Sequence, residues 1–287
     1  MIKVFNRIAA LSIFLMTIPS WAESFVYKVE KQGKEAYLAG TIHMLGKEDY
    51  PLPKEFDQAY QASSKLAFEV DLDKQQTPEF QQATMHYLLL KKGTLQDLID
   101  AETWQQLMNY AERNGMTATQ FSPMKPGMAS IMVSMNEITK LGVDVEGVDA
   151  YYFALAKKDK KPYLGLESVE EQLAFLGNMG SDDPSKLIQQ TLDEAGEVAE
   201  VFPKIKNAWR KGDIKTMDKL MIQEMKKDYP SVYRSLLVER NNNWMPKIEA
   251  MLADEKVEFI LVGAAHLVGE DGLIQLLEQR GYSVKQL

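Results

Sequence analysis

The sequence contains no cysteine among its 287 residues. It therefore cannot form disulfides, thiolate zinc sites, iron–sulfur clusters or a cysteine nucleophile. Histidine is also scarce, so any histidine chemistry depends on His43, His86 and His266. Lys and Arg number 33 against 41 Asp and Glu, which gives a net charge of −8. Because binding to nucleic-acid phosphates requires a basic footprint, we expect no nucleic-acid partner.

Long hydrophobic runs are missing as well. The run Ile8–Ile18 is shorter than the roughly 20 residues that a membrane span requires. It follows Lys3 and Arg7 and precedes Ser20-Trp21-Ala22, which is the pattern of a cleavable secretory signal. We expect residues 1–22 to be a signal peptide that is cut after Ala22. The protein would then be periplasmic in a Gram-negative bacterium, or secreted, without stable membrane insertion; the alternative is a retained membrane anchor.

Residues 23–287 have the pattern of one packed α/β domain. Hydrophobic residues make up 45% of the chain and charged residues 26%, and no Pro/Gly/Ser-rich linker divides it. The predicted strands are 24–29, 35–42, 65–72, 161–166, 257–262 and 282–285. The predicted helices are 53–62, 77–90, 101–114, 124–141, 150–158, 167–176 and 272–279, with a helical stretch over 185–252 broken near Pro203, Gly212 and Pro230. This order predicts a central mixed β-sheet built from distant segments, with a helical cap or flanking layer.

A short internal repeat is the most informative feature. The segments 36–46 and 259–269 each consist of an apolar strand followed by Gly-x-x-His-x-x-Gly, so His43 and His266 occupy equivalent places. Because ligand sites in open α/β sheets gather at the carboxyl ends of strands, we expect both imidazoles to converge on one cleft. The alternative is that both histidines are structural. His86 lies in a helical pattern and is expected to be structural or exposed.

Three carboxylates are candidates to join the histidines. Glu69 and Asp71 are predicted on one face of a strand, and burying such a carboxylate is costly unless it is paired or coordinated. Glu167 ends a predicted strand, or alternatively favours the N-terminus of the next helix. Among Glu69, Asp71, Glu146, Asp149 and Glu167, we expect Glu69 to lie nearest to the histidines and Glu167 next. Two histidines with one or two carboxylates can hold a divalent metal, or act without metal as general acid and base.

The remaining sequence patterns do not indicate a catalytic site. The sequence has no His-Glu-x-x-His, Gly-x-Ser-x-Gly, phosphate-binding loop or dinucleotide fingerprint. Met124, Met128, Met132 and Met135 form a stripe on one helical face, which predicts core packing or, alternatively, a peptide-binding groove.

Several motifs in a fixed order resemble the TraB/GumN family, also called Tiki-like, whose members carry Gly-x-x-His near both ends. The motifs in this sequence are Tyr37–Gly46, Phe68–Asp71, Gly147–Asp149, Pro162–Gln172, Trp209–Asp213, Glu239–Asn241 with Trp244, and Val262–Gly272. The resemblance implies that His43, His266, Glu69 and Arg240 form the active site. It also implies a metal-dependent peptidase.

We therefore predict an exported metal-dependent hydrolase with a peptide or protein substrate. His43 and His266 would bind Mn, Co or Zn, with Glu69 as a ligand or general base and Glu167 as a further catalytic candidate. Arg240 would stabilise the developing oxyanion, and a metal-bound water would be acidic enough to attack. The alternatives are a non-enzymatic periplasmic protein that binds or regulates a peptide, and a metal-independent esterase-like hydrolase.

Overall fold

The protein is built on one mixed six-stranded sheet. The computed structural model describes residues 24–143 and 145–287, so the expected signal peptide lies outside the described residues. The strands described are β1 (Val26–Lys31), β2 (Lys34–Thr41), β3 (Met44–Leu45), β4 (Lys65–Phe68), β5 (Val145–Glu146), β6 (Tyr163–Gly165), β7 (Glu258–Gly263) and β8 (Ser283–Gln286). The main sheet has the order β6-β4-β7-β2-β1-β8, and β3 pairs with β5 separately.

The sheet topology brings four carboxyl ends to one edge. Strands β6, β4, β7 and β2 are mutually parallel, whereas β1 and β8 are antiparallel to their neighbours. The two Gly-x-x-His repeats follow β2 and β7, which are adjacent, and Thr41 pairs with Gly263 at their ends. The predicted α/β domain, with a central mixed sheet assembled from distant segments, is confirmed.

Helices surround the sheet and form a separate layer beyond it. The helices described are α1 (Lys54–Ala62), α2 (Pro78–Leu88), α3 (Ala101–Arg113), α4 (Ala118–Phe121), α5 (Pro126–Thr139), α6 (Val148–Asp159), α7 (Val169–Asn178), α8 (Pro184–Ala195), α9 (Val198–Arg210), α10 (Ile214–Met217), α11 (Glu224–Asp228), α12 (Pro230–Tyr233), α13 (Arg240–Leu252) and α14 (Leu273–Gln279). Two π-helical segments, 218–223 and 234–239, connect helices of the last third. Within the described residues, no helix combines the length and apolar character that crossing a bilayer demands.

Four clusters of buried hydrophobic residues stabilise these layers, and two of them are large. The larger of these two contains the sheet, and α6 packs against it through Tyr152, whose ring is 5.6 Å from that of Phe259 in β7. The smaller core lies between α3, α5 and α8 and includes Leu107, Val133 and Ile188. Three methionines of the stripe belong to this second core, as core packing predicts: Met124, Met128 and Met132. The fourth, Met135, keeps 41% of its surface exposed.

The predicted strand over 65–72 is too long. β4 ends at Phe68, and the Asp71 carboxylate accepts a hydrogen bond from the backbone N–H of Asp73, 3.1 Å away. An aspartate that caps its own turn competes with continued sheet pairing. The prediction that Glu69 and Asp71 share one strand face is therefore wrong, and Asp71 turns away from the sheet.

The predicted break near Pro203 is also wrong. Helix α9 runs through Pro203, and the chain breaks earlier, at Gly196. Pro203 lies in the second turn of α9, so the helix lacks the one hydrogen bond that an N–H at this position would donate to residue 199, and it continues without that bond. The breaks predicted near Gly212 and Pro230 are confirmed.

Candidate active site

A cleft of 920 Å³ opens at the carboxyl ends of the parallel strands. Its lining includes His43, Glu69 and Arg240, together with Asp149 from α6 and Gln172 from α7. The position agrees with the rule that open α/β sheets bind ligands where the strands end. The fold therefore gathers segments that are distant in sequence around one cavity.

His43 follows β2 and is held by α6. Its Nδ1 lies 3.0 Å from Asp149 Oδ1, while the side chain remains 60% exposed. This partner fixes the ring so that Nε2 faces the cleft. Desolvation at the cleft wall opposes the charged form of His43. The carboxylate of Asp149 outweighs it through its charge and hydrogen bond, so the pKa of His43 lies above its usual value.

Gly147 makes the contact between His43 and α6 possible. The backbone N–H of Val148 donates to the Ile42 carbonyl oxygen at 3.0 Å. A Cβ on Gly147 would lie 2.2 Å from that same oxygen, so only glycine fits this approach. The close packing places Asp149, in the first turn of α6, beside the imidazole.

His266 follows β7 and is buried, with 4% of its surface exposed. Its Nδ1 lies 2.7 Å from Asn241 Oδ1, and its Nε2 accepts a hydrogen bond from Arg240 Nη1 at 3.0 Å. Burial lowers the pKa of His266 to about 3, and the nearby guanidinium reinforces the effect. His266 is therefore neutral, with the proton on Nδ1 and the lone pair of Nε2 directed towards Arg240.

The two histidines and Glu69 surround the α-carbon of Gly263. A Cβ placed on Gly263 would lie 3.2 Å from Glu69 Oε1, 3.5 Å from His43 Nε2 and 3.7 Å from His266 Cδ2. Glu69 Oε1 is also 3.9 Å from His266 Nε2. Side-chain atoms of His43, Glu69 and His266 thus lie close to one point, whereas the described lining of the cleft includes His43 and Glu69 but not His266. A shared role of the two histidines in the cleft stays a prediction.

Glu69 is a buried and fully hydrogen-bonded carboxylate. Its Oε1 accepts from the backbone N–H of Gly263 at 2.7 Å, and its Oε2 accepts from Arg240 Nη2 at 2.6 Å and from Gln172 Nε2 at 3.1 Å. Burial would raise its pKa, but Arg240, the protonated His43 and the Gly263 N–H together hold the pKa of Glu69 well below its usual range. Glu69 is therefore ionised and a weak base.

Arg240 binds both glutamates from the start of α13. Its Nε and Nη2 donate to Glu167, and Nη2 also donates to Glu69. Its Nη1 donates to the Leu236 carbonyl oxygen and to His266 Nε2. These contacts occupy all five N–H groups of the guanidinium. The oxyanion role implied by the resemblance would therefore require Arg240 to release one of them.

Glu167 lies behind Arg240 as a second buried carboxylate. Its Oε2 accepts from Trp244 Nε1 at 3.0 Å, in addition to the contacts with Arg240. Burial raises the pKa of Glu167, and the hydrogen bonds from Arg240 oppose that rise. Its position at the end of β6 does bring it to the site, although it contacts Arg240 rather than a histidine.

The acids are arranged differently from the sequence expectation. The nearest acid to His266 is Glu69, but the nearest to His43 is Asp149. His86 is exposed on α2, in agreement with the expectation, and its ring contacts Tyr87; it is not part of the cleft lining among the residues described.

Two residues that position the histidines have no assigned role in the sequence predictions. For Asp149, the proximity to His43 in space cannot be seen from the chain order. Asn241 had a signal, since three consecutive asparagines are unfavourable inside a helix. Its side chain is buried and also donates to the carbonyl oxygens of His266 and Asp271.

The donor types suit a divalent metal, but their arrangement does not present a complete site. Both imidazoles have Nδ1 anchored by an oxygen atom, as metal-binding histidines usually do. However, Arg240 already donates to His266 Nε2, and across 24–143 and 145–287 no three His, Asp or Glu side chains are placed to share a metal ion. As arranged, these residues do not fit a three-ligand metal site.

Comparisons with known proteins agree with the family suggested by the motifs. The model of the TraB/PrgY/gumN family matches residues 25–286. The uncharacterised protein YbaP of Escherichia coli strain K12 is 27% identical over 242 residues, which cover 84% of this chain and 87% of YbaP. YbaP of Shigella flexneri is 26% identical over 245 residues, covering 85% of this chain and 88% of that protein.

A more distant relative is named as an enzyme. Metalloprotease TIKI1 of Danio rerio is 24% identical over 316 aligned positions, covering 91% of this chain and 63% of TIKI1. No solved structure matches the chain. The family match extends over nearly all of the described residues and includes both Gly-x-x-His repeats. The chain therefore belongs to the TraB/PrgY/gumN family.

Proposed function

We propose that this chain is an exported hydrolase that cleaves a peptide or protein amide bond in the 920 Å³ cleft. The observation that carries the proposal is the convergence of His43, His266 and Glu69 around Gly263. The similarity to a protein named metalloprotease supports the choice of reaction class. The expected export rests on the N-terminal pattern of the sequence.

The chain's own residues suit the two halves of amide hydrolysis. His43, charged beside Asp149, can donate a hydrogen bond from Nε2–H to the substrate carbonyl oxygen and then transfer that proton to the leaving amine. The neutral imidazole that results takes up the proton that the attacking water releases, which restores the charged form. Glu69 is too weak a base to deprotonate water unaided, but it can accept a hydrogen bond that orients the water. Arg240 acts as a positioning residue, because it fixes Glu69, Glu167 and His266 together.

A divalent metal ion would supply Lewis acidity and acidify a water molecule. We propose that any such ion, Mn, Co or Zn, would use His43, His266 and Glu69. The hydrogen bond between Arg240 and His266 would have to be released for that to happen. The residues as arranged carry no step that depends on the metal.

The test is proteolysis by the purified protein. Unfolded proteins and a peptide library are incubated with the wild type, with His43→Ala and with His86→Ala, and new termini are identified by mass spectrometry. We expect cleavage by the wild type and by His86→Ala, which changes a histidine outside the cleft, and a loss of at least about 100-fold in His43→Ala. Equal cleavage by His43→Ala would contradict the proposal. Parallel reactions with a chelator, followed by addition of Mn, Co or Zn, measure the metal requirement.

A second candidate function is non-enzymatic binding of a peptide. It is favoured by the closed network around Arg240, which leaves no guanidinium N–H for a substrate oxygen. Under this reading the wild type binds peptides in the cleft but produces no new termini with any of the three metals. Turnover with any metal, lost in His43→Ala, would exclude it.

A further inference from the structure

A second cavity, of 490 Å³, adjoins the cleft of the proposed active site. Ile131 and Met135, one turn apart on α5, line both cavities. We call the second cavity the α5–α9 groove; it lies between α5, α8, α9 and the π-helical segment 218–223. The groove and the cleft thus lie side by side and share part of their wall on one helix.

The walls of the α5–α9 groove are mainly apolar and adaptable. Met135, Met179, Met221 and Met225 contribute to them, and methionine side chains can adjust to ligands of different shape. The exposed methionine of the stripe, Met135, is the one at the junction with the cleft. Its exposure is explained if this position contacts a ligand rather than the core.

The charge of the groove is entirely negative. Glu194, Glu197 and Glu224 are part of its lining, whereas the lining residues include no Lys, Arg or His. All three glutamates are exposed. A ligand that fills this groove should therefore combine large apolar groups with a cationic group, since opposite charges steer and orient association.

We propose that the α5–α9 groove binds a segment of the substrate polypeptide that carries large apolar side chains next to a lysine or arginine. The inference rests on the proposed function, because a polypeptide whose scissile bond lies in the cleft must extend beyond it. The shared wall at Ile131 and Met135 places the groove directly beside the cleft, where that chain would continue. The groove therefore sets specificity at positions some residues away from the cleaved bond.

The test measures binding separately from cleavage. The probe is a short fluorescein-labelled peptide with a Leu/Phe-rich half flanked by lysines, and the protein is the full chain carrying His43→Ala to prevent turnover. Two matched peptides replace the Leu and Phe by Ser, or the Lys by Glu. Fluorescence anisotropy gives the Kd of each peptide.

The groove is altered at positions that should not disturb folding. Val198→Ser replaces an apolar wall residue at the start of α9 by a polar one and leaves the groove charge unchanged. Met85→Ser is the matched control, because Met85 is 64% exposed and lies outside the groove lining. Glu197→Lys lowers the formal charge of the groove lining from −3 to −1, with exposed Glu79→Lys as its control. Thermal melting confirms that all four variants are folded.

We expect Val198→Ser and Glu197→Lys each to raise the Kd of the apolar, lysine-flanked peptide about tenfold. The two controls should bind it like the parent protein, and both matched peptides should bind about tenfold more weakly. Equal binding of the three peptides, or unchanged binding in both groove variants, would overturn the inference. A change of oligomeric state in Val198→Ser, measured by sedimentation velocity, would also overturn it, by showing that a second copy occupies the groove.

The inference and the proposed function can fail separately. If the wild type hydrolyses peptides with the same KM whether or not they carry the apolar, basic segment, hydrolysis stands and the groove inference fails. If the wild type cleaves nothing but the binding differences appear as expected, the groove inference stands without the hydrolase.

Discussion

His43 and His266 have opposite chemical characters although their sequence contexts match. His43 is largely exposed and pairs with Asp149, which raises its pKa. His266 is buried, and its pKa is lowered, so it stays neutral. A charged donor at the cleft surface and a neutral acceptor behind Arg240 are suited to different tasks. The repeat therefore supplies two equivalent positions, and their partners make them different.

At the residue scale, a metal ion bound as proposed would compete with Arg240 for His266 Nε2. The double variant Arg240→Met with Glu167→Gln removes the cation and the second buried carboxylate together, which limits the cost of leaving an unpaired charge. We expect this variant to bind Mn, Co or Zn at least about tenfold more tightly than the wild type, because His266 and Glu69 are freed. Isothermal titration calorimetry measures the affinity. Tighter binding should disappear when His266→Ala is added, and an unchanged affinity would contradict the competition.

Arg240→Lys is a separate test of the same side chain. Lysine has three donors on one nitrogen and cannot reproduce a fork that contacts Glu69, Glu167 and His266. We expect the free energy of unfolding to fall by about 3 kcal/mol, since a buried ion network is broken. Urea denaturation measures it. A stability equal to that of the wild type would show that the network contributes little to folding.

We expect Glu258 to make the stability of the folded protein depend on pH. It is fully buried, both carboxylate oxygens have no hydrogen-bond partner in the described structure, and burial raises its pKa. A raised folded-state pKa means that the stability is complete below the usual carboxyl pKa of about 4.3 and is lost as pH rises through the folded value. We expect Glu258→Gln to be about 1 kcal/mol more stable than the wild type near neutral pH and equal to it in acid. Urea denaturation at both pH values checks this, with exposed Glu255→Gln as the control.

At the element scale, the start of α6 must lie directly against the end of β2. Gly147→Ala would place a methyl group 2.2 Å from the Ile42 carbonyl oxygen, so the helix has to move away. We expect a drop of about 2 kcal/mol in the free energy of unfolding and a loss of peptide cleavage, because Asp149 moves with the helix. Asp149→Asn weakens the same pair without moving the backbone. If Gly147→Ala cleaves peptides normally, the close contact is not needed to position His43.

The same scale shows what a sequence can predict. The buried run of β7 and the Gly-x-x-His motifs give strand positions, because apolar runs and glycine turns are local signals. The end of β4 cannot be obtained in this way, since it depends on Asp71 capping its own turn. The continuation of α9 through Pro203 likewise goes against the local preference of proline for helix ends. Predicted boundaries of helices and strands are therefore wrong where two local preferences compete.

At the scale of the whole molecule, the sheet order decides the site. Neighbouring parallel strands β4, β7 and β2 bring Glu69, His266 and His43 together, which the chain order suggests only through the repeat. The contacts that set the charge states of the site residues come from α6 and α13. No local sequence pattern predicts how these two helices pack against the sheet. The residue types of the site could therefore be predicted from the sequence, whereas the closed network around Arg240 and the position of Asp149 could not.

The most direct test of a reaction between the two histidines adds a methyl group to the space that His43, His266 and Glu69 share. Gly263→Ala adds one methyl group at 3.2 to 3.7 Å from these three side chains, and the backbone of Gly263 has φ −51°, which alanine adopts freely. Gly196→Ala is the control, because its methyl group would lie 3.7 Å from the Asp193 carbonyl oxygen, away from the cleft. The measurement is the rate of peptide cleavage, with the free energy of unfolding determined in parallel. We expect Gly263→Ala to lose cleavage by at least about 100-fold while its stability changes by about 1 kcal/mol, and we expect Gly196→Ala to behave like the wild type. Cleavage at the wild-type rate by Gly263→Ala would show that the reaction does not take place between the two histidines.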